Sequence, residues 1–307
     1  MPVTVDPEQQ LSHLKAAAER GGVEIPEFVL PDSRHLLAGN IRIHYLDWPN
    51  PAGRDILFLH GGALTAHTWD IVALGLRSRF HCVAIDQRGH GDSEWSLDMD
   101  YSIDAHVRDI EHVVEELGLK DFLLVGMSLG GLNSIEYAGR HSDLLKGVVF
   151  VDVGPEIRTQ GTNRIRDFIG RKSEFDSVDD VIEQAMGFNS KRNPELLRTS
   201  LLHNLRQLPD GKWTWKYDRR HHGRTDPDAF TRTRLRLAEQ LPKIDCPALV
   251  VRGDRSDVFH DEDAERVVER LPNGRWVKIA DAGHTVQGDN PRDLTAALLE
   301  FFDEVGA

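Results

Sequence analysis

With 307 residues the chain can form one large α/β domain or a core carrying an insertion, and either buries a substantial hydrophobic interior. A formal charge of −13 repels phosphate backbones and anionic lipid, and no stretch approaches the roughly 20 apolar residues of a membrane-spanning helix, so nucleic acid and membrane are excluded as expected partners. Hydrophobic residues at 40% and charged ones at 28%, with no low-complexity tract or internal repeat, describe a chain that folds throughout.

In chain order, residues 1–30 read as a short helical arm, and the opening "MPVTVDPEQQ" lacks a basic stretch followed by an apolar one, so a cytoplasmic protein is expected. "RHLLAGNIRIHYLDW" predicts an antiparallel hairpin turning at Gly39 and Asn40 at a sheet edge. Apolar runs then alternate with helical stretches: "DILFLHG" at 55, "HCVAID" at 81, "FLLVGMS" at 122 and "GVVFVDV" at 147, resuming with "ALVVRGD" at 248 and "RWVKIAD" at 275. That rhythm predicts a mostly parallel sheet with helices on both faces. It breaks between about 155 and 245, where helical patterns such as "SVDDVIEQAMGF" and "DAFTRTRLRLAEQL" take over. The expected division is a core of residues 1–154 and 246–307 and a helical cap of residues 155–245. The cap holds 18 Lys plus Arg against 14 Asp plus Glu, a basic insertion in an acidic chain. Cys82 and Cys246 lie in or beside strand-like runs and are expected as buried, reduced thiols.

"FLLVGMSLGG" boxes Ser128 between Gly126, Gly130 and Gly131. A serine at a tight strand-to-helix turn leaves no room for side chains two residues either way, and the glycines remove them. The turn lifts the Ser128 hydroxyl clear of the sheet and leaves the amide of Leu129 at a helix N-terminus, where developing negative charge is stabilised. Ser128 is therefore the expected nucleophile, and a serine hydroxyl needs a base. Of the 15 histidines, His284 lies after "RWVKIAD" in a loop before a helix that Asn290 can cap and Pro291 can open.

With "LHGG" at 59–62, "DQRGHGDS" at 86–93, "GMSLGG" at 126–131 and "DAGHTV" at 281–286, the chain resembles the α/β-hydrolase superfamily from about residue 35 onward. The resemblance implies the α/β-hydrolase fold, with an eight-stranded sheet and an inserted helical cap. It implies His284 as the catalytic histidine and a second oxyanion donor at Gly62, or at Ala63 given the extra glycine. For the acid, three aspartates compete. Asp257 and Asp254 follow "ALVVRG", and Asp152 ends "VFVDV"; the pattern "RGDRSDV" favours Asp257, leaving Asp254 to hold the turn and Asp152 to anchor the start of the cap. His60, Asp86, Arg88 and Ser93 are expected as structural hydrogen-bonding residues, and Trp69 as packing for the first helix.

Serine at the nucleophile position counts against the dehalogenase and epoxide-hydrolase branches that the chain otherwise resembles. The expected activity is hydrolysis of a small to medium carboxylic ester or lactone through an acyl-enzyme, with a small-molecule ester as partner and a monomer or homodimer as the assembly. Alternatives are a carbon–carbon hydrolase of the meta-cleavage type and, from another class, a non-catalytic ligand receptor of the same fold. No cofactor and no metal are expected: the neighbours His221 and His222 lack further ligands at suitable spacing. In the cap, Phe168, Phe175, Met186, Phe188, Trp213 and Trp215 are candidates for an apolar pocket wall, and most are expected to form the cap's own core. The cluster Arg219, Arg220, His221, His222 and Arg224 suits a carboxylate-bearing monoester, against the alternative of a surface run paired with core acids.

Overall fold

The computed structural model describes residues 6–156, 161, 170, 172–188, 194–220 and 227–307. Helix α1 (Pro7–Gly21), capped by the Asp6 carboxylate on the Gln9 amide, precedes a hairpin of β1 (Asp32–Ala38) and β2 (Ile41–Trp48). The alternating series follows: β3 (Arg54–Leu59), a 3-10 turn (Ala66–Trp69) running into α2 (Asp70–Leu76), β4 (Phe80–Ile85), α3 (Ile103–Leu117), β5 (Phe122–Met127), α4 (Leu129–His141) and β6 (Leu145–Val151). After an insertion it resumes with β10 (Ala248–Gly253), α8 (Asp261–Val268), β11 (Gly274–Ile279), the short α9 (Val286–Asp289) and α10 (Pro291–Glu304). Asn290 caps α10 through its side chain and Pro291 opens it, as the sequence predicts.

The strands form one eight-stranded sheet in the order β1-β2-β4-β3-β5-β6-β10-β11. From β4 to β11 all neighbours are parallel, while β2 runs antiparallel to β4 and β1 closes the edge. The inner strands are buried on both faces, which is why they read as unbroken apolar runs. Phe122 and Leu124 enter the hydrophobic layer that also holds Val107, Ile110 and Val267. Leu123, Val125 and Met127, pointing the other way, enter the layer with Val72, Leu298 and Phe302. Truncating a fully buried ring in either layer, such as Phe58, would cost about 3–5 kcal/mol.

The insertion holds β7 (Glu174–Phe175), α5 (Val178–Phe188), α6 (Pro194–Asn204), β8 (Leu205–Gln207), β9 (Trp213–Trp215) and α7 (Pro227–Gln240). It is not helical throughout: β7, β9 and β8 make a three-stranded antiparallel sheet. Strands of two or three residues are too short for a period-two pattern to show, so the sequence reading missed them. The insertion has its own apolar cluster around Phe175, Val181, Leu201, Leu205 and Trp215.

Among the described residues, some of the insertion's cations reach down to acids of the core. The Arg236 guanidinium pairs with Asp104 at 2.5 Å and with Glu136 at 2.7 Å, and the Lys216 ammonium pairs with Asp92 at 2.8 Å. Tyr101 donates its hydroxyl to Asp218 at 2.5 Å, Trp95 donates its indole N–H to the Lys216 carbonyl, and the Arg206 and Arg220 guanidiniums lie over the Trp95 ring.

Candidate active site

At the end of β5, Ser128 has φ 52° and ψ −114°, a left-handed conformation that a residue with a side chain adopts only where its surroundings enforce it. The glycines make that turn possible. A Cβ on Gly126 would lie 2.3 Å from the Ser134 hydroxyl and 2.4 Å from the Gly130 carbonyl, and one on Gly130 would lie 2.4 Å from the Leu59 carbonyl oxygen. Strand β5 and helix α4 thus meet at backbone contact, and the Ser128 side chain stands at the helix entrance.

His284 joins two groups. Its Nε2 is 3.0 Å from the Ser128 hydroxyl and its Nδ1 is 2.8 Å from Asp152 Oδ2. The carboxylate that meets the histidine is therefore Asp152, a correction to the expectation of Asp257. The reason lies in the sheet: β6 and β10 are parallel neighbours, the Asp152 amide donates to the Val251 carbonyl at 2.7 Å, and the two strands deliver their following residues to the same place. The loop after β10 contributes a hydroxyl there instead of a carboxylate. Ser256 Oγ donates to Asp152 Oδ2 at 2.5 Å, and the Gly253 amide donates to Oδ1 at 2.9 Å. Asp152 is fully buried and has φ 54°. Asp257 is half-buried further round the turn, its carbonyl against Gly161, and Asp254 accepts from the Ala282 amide at 3.2 Å, tying this turn to the loop that carries His284.

Beneath the loop after β3, His60 is fixed in one tautomer. Its Nδ1 donates to the Gly61 carbonyl at 2.7 Å and its Nε2 accepts from the Gln87 amide at 2.9 Å, while burial holds its pKa below the usual value and keeps the ring neutral. The His60 carbonyl accepts from Gly130 N and from the Gln87 side chain, whose own oxygen accepts from Asn133. This network ties the loop to the start of α4. Gly62 is exposed, and a side chain there would meet nothing within 4 Å. Among the described residues, the amides of Gly62, Ala63 and Leu129 donate to no protein acceptor. Ala63 has φ 61° and packs against the insertion's apolar cluster.

The "DQRGHGDS" turn is structural, as expected. Asp86 accepts from the amides of Ala66 and Asp92 and from His44, and Arg88 grips Asp109 through two nitrogens. Burial alone would raise the Asp86 pKa, but the His44 ring and the Ala66 amide hold it well below the usual carboxylate range. Trp69 is fully buried against Phe58.

The expected substrate contacts in the insertion are largely spent within the protein. Trp215 is buried, edge-on to Phe175 at 5.8 Å, and Trp213 and Met186 pack against the same cluster. Arg220 is engaged by Asp218 and the Ser96 carbonyl. Arg219 differs: one terminal nitrogen donates to the Gly170 carbonyl at 3.2 Å, while the other, Nη1, is buried without a hydrogen-bond partner among the described residues. Phe168, His221, His222, Arg224 and the Phe188 side chain lie outside the described residues.

A family model for the α/β-hydrolase fold matches residues 56–291. The esterase Rv0045c of Mycobacterium tuberculosis is 34% identical over 93% of each chain. A structure of that esterase, refined in work on its transition-metal inhibition, superposes with a TM-score of 0.79 over 98% of this chain and 100% of that one. A 3-hydroxybutyrate-oligomer hydrolase of Cupriavidus necator is 26% identical over 85% of this chain and 92% of its own length. A 2-(acetamidomethylene)succinate hydrolase of Mesorhizobium japonicum is 25% identical over 88% and 95%. Among the described residues no helix is long and apolar enough to cross a membrane.

Proposed function

The chain belongs to the α/β-hydrolase fold family and is a hydrolase of ester bonds, and on that premise we propose that Ser128, His284 and Asp152 are its catalytic triad. The observation that carries this reading is the unbroken line of contacts from the Ser128 hydroxyl through both ring nitrogens of His284 to the buried Asp152 carboxylate. His284 Nε2 takes the hydroxyl proton as Ser128 Oγ attacks the ester carbonyl, and Asp152 holds the ring with Nδ1 protonated and stabilises the cation that forms. The carbonyl oxygen, now an anion, is received by the free amides of Leu129 and Gly62. His284 returns the proton to the leaving alkoxide, then takes one from a water that attacks the acyl-enzyme, releasing the acid and restoring Ser128. The insertion acts as a cap over this site, touching the loop of Gly62 through Ala63.

For the substrate, we read a small to medium ester that carries a carboxylate remote from the scissile bond, held by Arg219. Its Nη1, buried and without a hydrogen-bond partner among the described residues, is the feature that supports this, because a desolvated guanidinium nitrogen without an acceptor is costly until an anion reaches it. The names of two relatives point the same way, one to hydroxybutyrate oligomers, which end in a carboxylate, the other to a substituted succinate.

The acid is tested with a p-nitrophenyl ester of a short acid. Asp152→Asn should lower kcat by roughly 10³–10⁴ because the wrong tautomer of His284 is then stabilised, while Asp257→Asn should stay within a few-fold of wild type. Equal damage from the two, or greater damage from Asp257→Asn, would overturn the assignment.

A further inference from the structure

Away from Ser128, three segments distant in sequence bring histidines together. His67 lies in the 3-10 turn after the Gly62 loop, and its Nδ1 is 3.0 Å from Asp70 at the start of α2. His203, near the end of α6 in the insertion, stacks on His67 with ring centroids 3.5 Å apart and planes inclined by 23°. His13 on α1 is close enough to act electrostatically on His203, and α1 packs against both α6 and α2. His67, Asp70 and His203 each offer one ligand atom, and these atoms all lie within 4.8 Å of one another.

We propose that His67, Asp70 and His203 bind a divalent transition-metal ion of the zinc, nickel or copper class, clamping the insertion to the core. Two imidazoles and a carboxylate form a donor set for such ions, whereas calcium and magnesium call for oxygen ligands throughout. At a metal–nitrogen distance of about 2.0–2.1 Å, ligand atoms on one tetrahedral ion stand about 3.4 Å apart, so modest side-chain rotations close the site. The donors are available. His203 makes no hydrogen bond among the described residues, so both of its ring nitrogens are unclaimed there. His67 Nδ1 already faces the Asp70 carboxylate at 3.0 Å, so an ion between them would take both as ligands. The other compact group, His44, Asp86 and Asp92, contrasts with this one, since Asp86 and both His44 nitrogens are already engaged by the Ala66 and Asp92 amides and by Ser33. Chain spacing gave no sign of the site, because its histidines come from the core and the insertion.

The test is titration of metal-free, full-length protein with Co²⁺, followed by visible absorption, and with Zn²⁺, followed by thermal denaturation. Wild type should develop the intense bands of low-symmetry cobalt and gain several degrees in Tm with Zn²⁺ but not with Mg²⁺ or Ca²⁺. His67→Gln and His203→Gln, each checked for native circular dichroism, should weaken cobalt binding at least tenfold, and His284→Ala should leave it unchanged. Absence of cobalt bands in wild type, bands that survive in both glutamine variants, or bands lost in His284→Ala would overturn the proposal.

Discussion

The sheet core and the insertion hold their candidate functional groups by different means. In the core, Ser128, Asp152 and the loop of Gly62 are placed by backbone: strand ends, glycines at contact distance and amides on carbonyls. The insertion is secured by charged and polar side chains reaching down to core groups, Arg236 to Asp104 and Glu136, Lys216 to Asp92, Asp218 to Tyr101. A site built on backbone tolerates little error and suits the reacting atoms, whereas one built on long side chains can shift, which suits a surface that admits substrates.

The sharpest break of the comparison comes on the core side. Ser128→Ala and His284→Ala should each lower esterase turnover by roughly four to six orders of magnitude with the fold intact, since the members of the proposed triad would act as a unit; more than a few per cent of wild-type turnover in purified Ser128→Ala would show that the core does not carry the chemistry. On the insertion side the expected effect is selective. Arg219→Gln should reduce the preference for an anionic monoester over its neutral diester by about tenfold to a hundredfold, the worth of a charge-assisted hydrogen bond in a partly dry pocket. An unchanged ratio would return Arg219 to a purely structural role.

The smallest effect concerns the anchoring. Arg236→Met should cost about 1 kcal/mol, because Arg236 is 38% exposed and Arg140 still covers the buried Glu136. That corresponds to a drop in Tm of about 2 °C. Arg236 first, and Arg140 after it, hold the Asp104 carboxyl well below the usual carboxylate range. The stability this supplies is present above the ordinary carboxylate pKa of about 4 and is lost as pH falls through the lower folded value. Thermal scans from pH 5 down to pH 2 should therefore show a steeper acid loss in wild type than in Arg236→Met; parallel curves would mean that the insertion does not depend on this pair.

How much of this was legible in the sequence follows from the range of each interaction. The strands of the eight-stranded sheet, the hairpin at Gly39, the elbow around Ser128, the loop that carries His284 and the cap of α10 all depend on neighbours a few residues apart, and their patterns are written locally. The contact of Asp152 with His284 has no such local pattern, because it depends on β6 lying beside β10, a pairing across about a hundred residues, and on Ser256 presenting its hydroxyl in the turn where "RGDRSDV" favours an aspartate. The contacts of Trp215 and Arg220 with the insertion's own residues, and the meeting of His67 with His203, are likewise tertiary facts with no local signature.

The positive φ of Ser128 and of Asp152 places two members of the proposed triad in conformations that cost on the order of 1–3 kcal/mol each. Heat resistance and turnover then pull against each other in this molecule. Ser128→Gly, free to adopt φ 52° and ψ −114° without a side chain, should melt at or above the wild-type temperature while hydrolysing nothing. Screens that select this esterase for survival at high temperature alone, without assaying hydrolysis, would drift toward inert variants at these two positions.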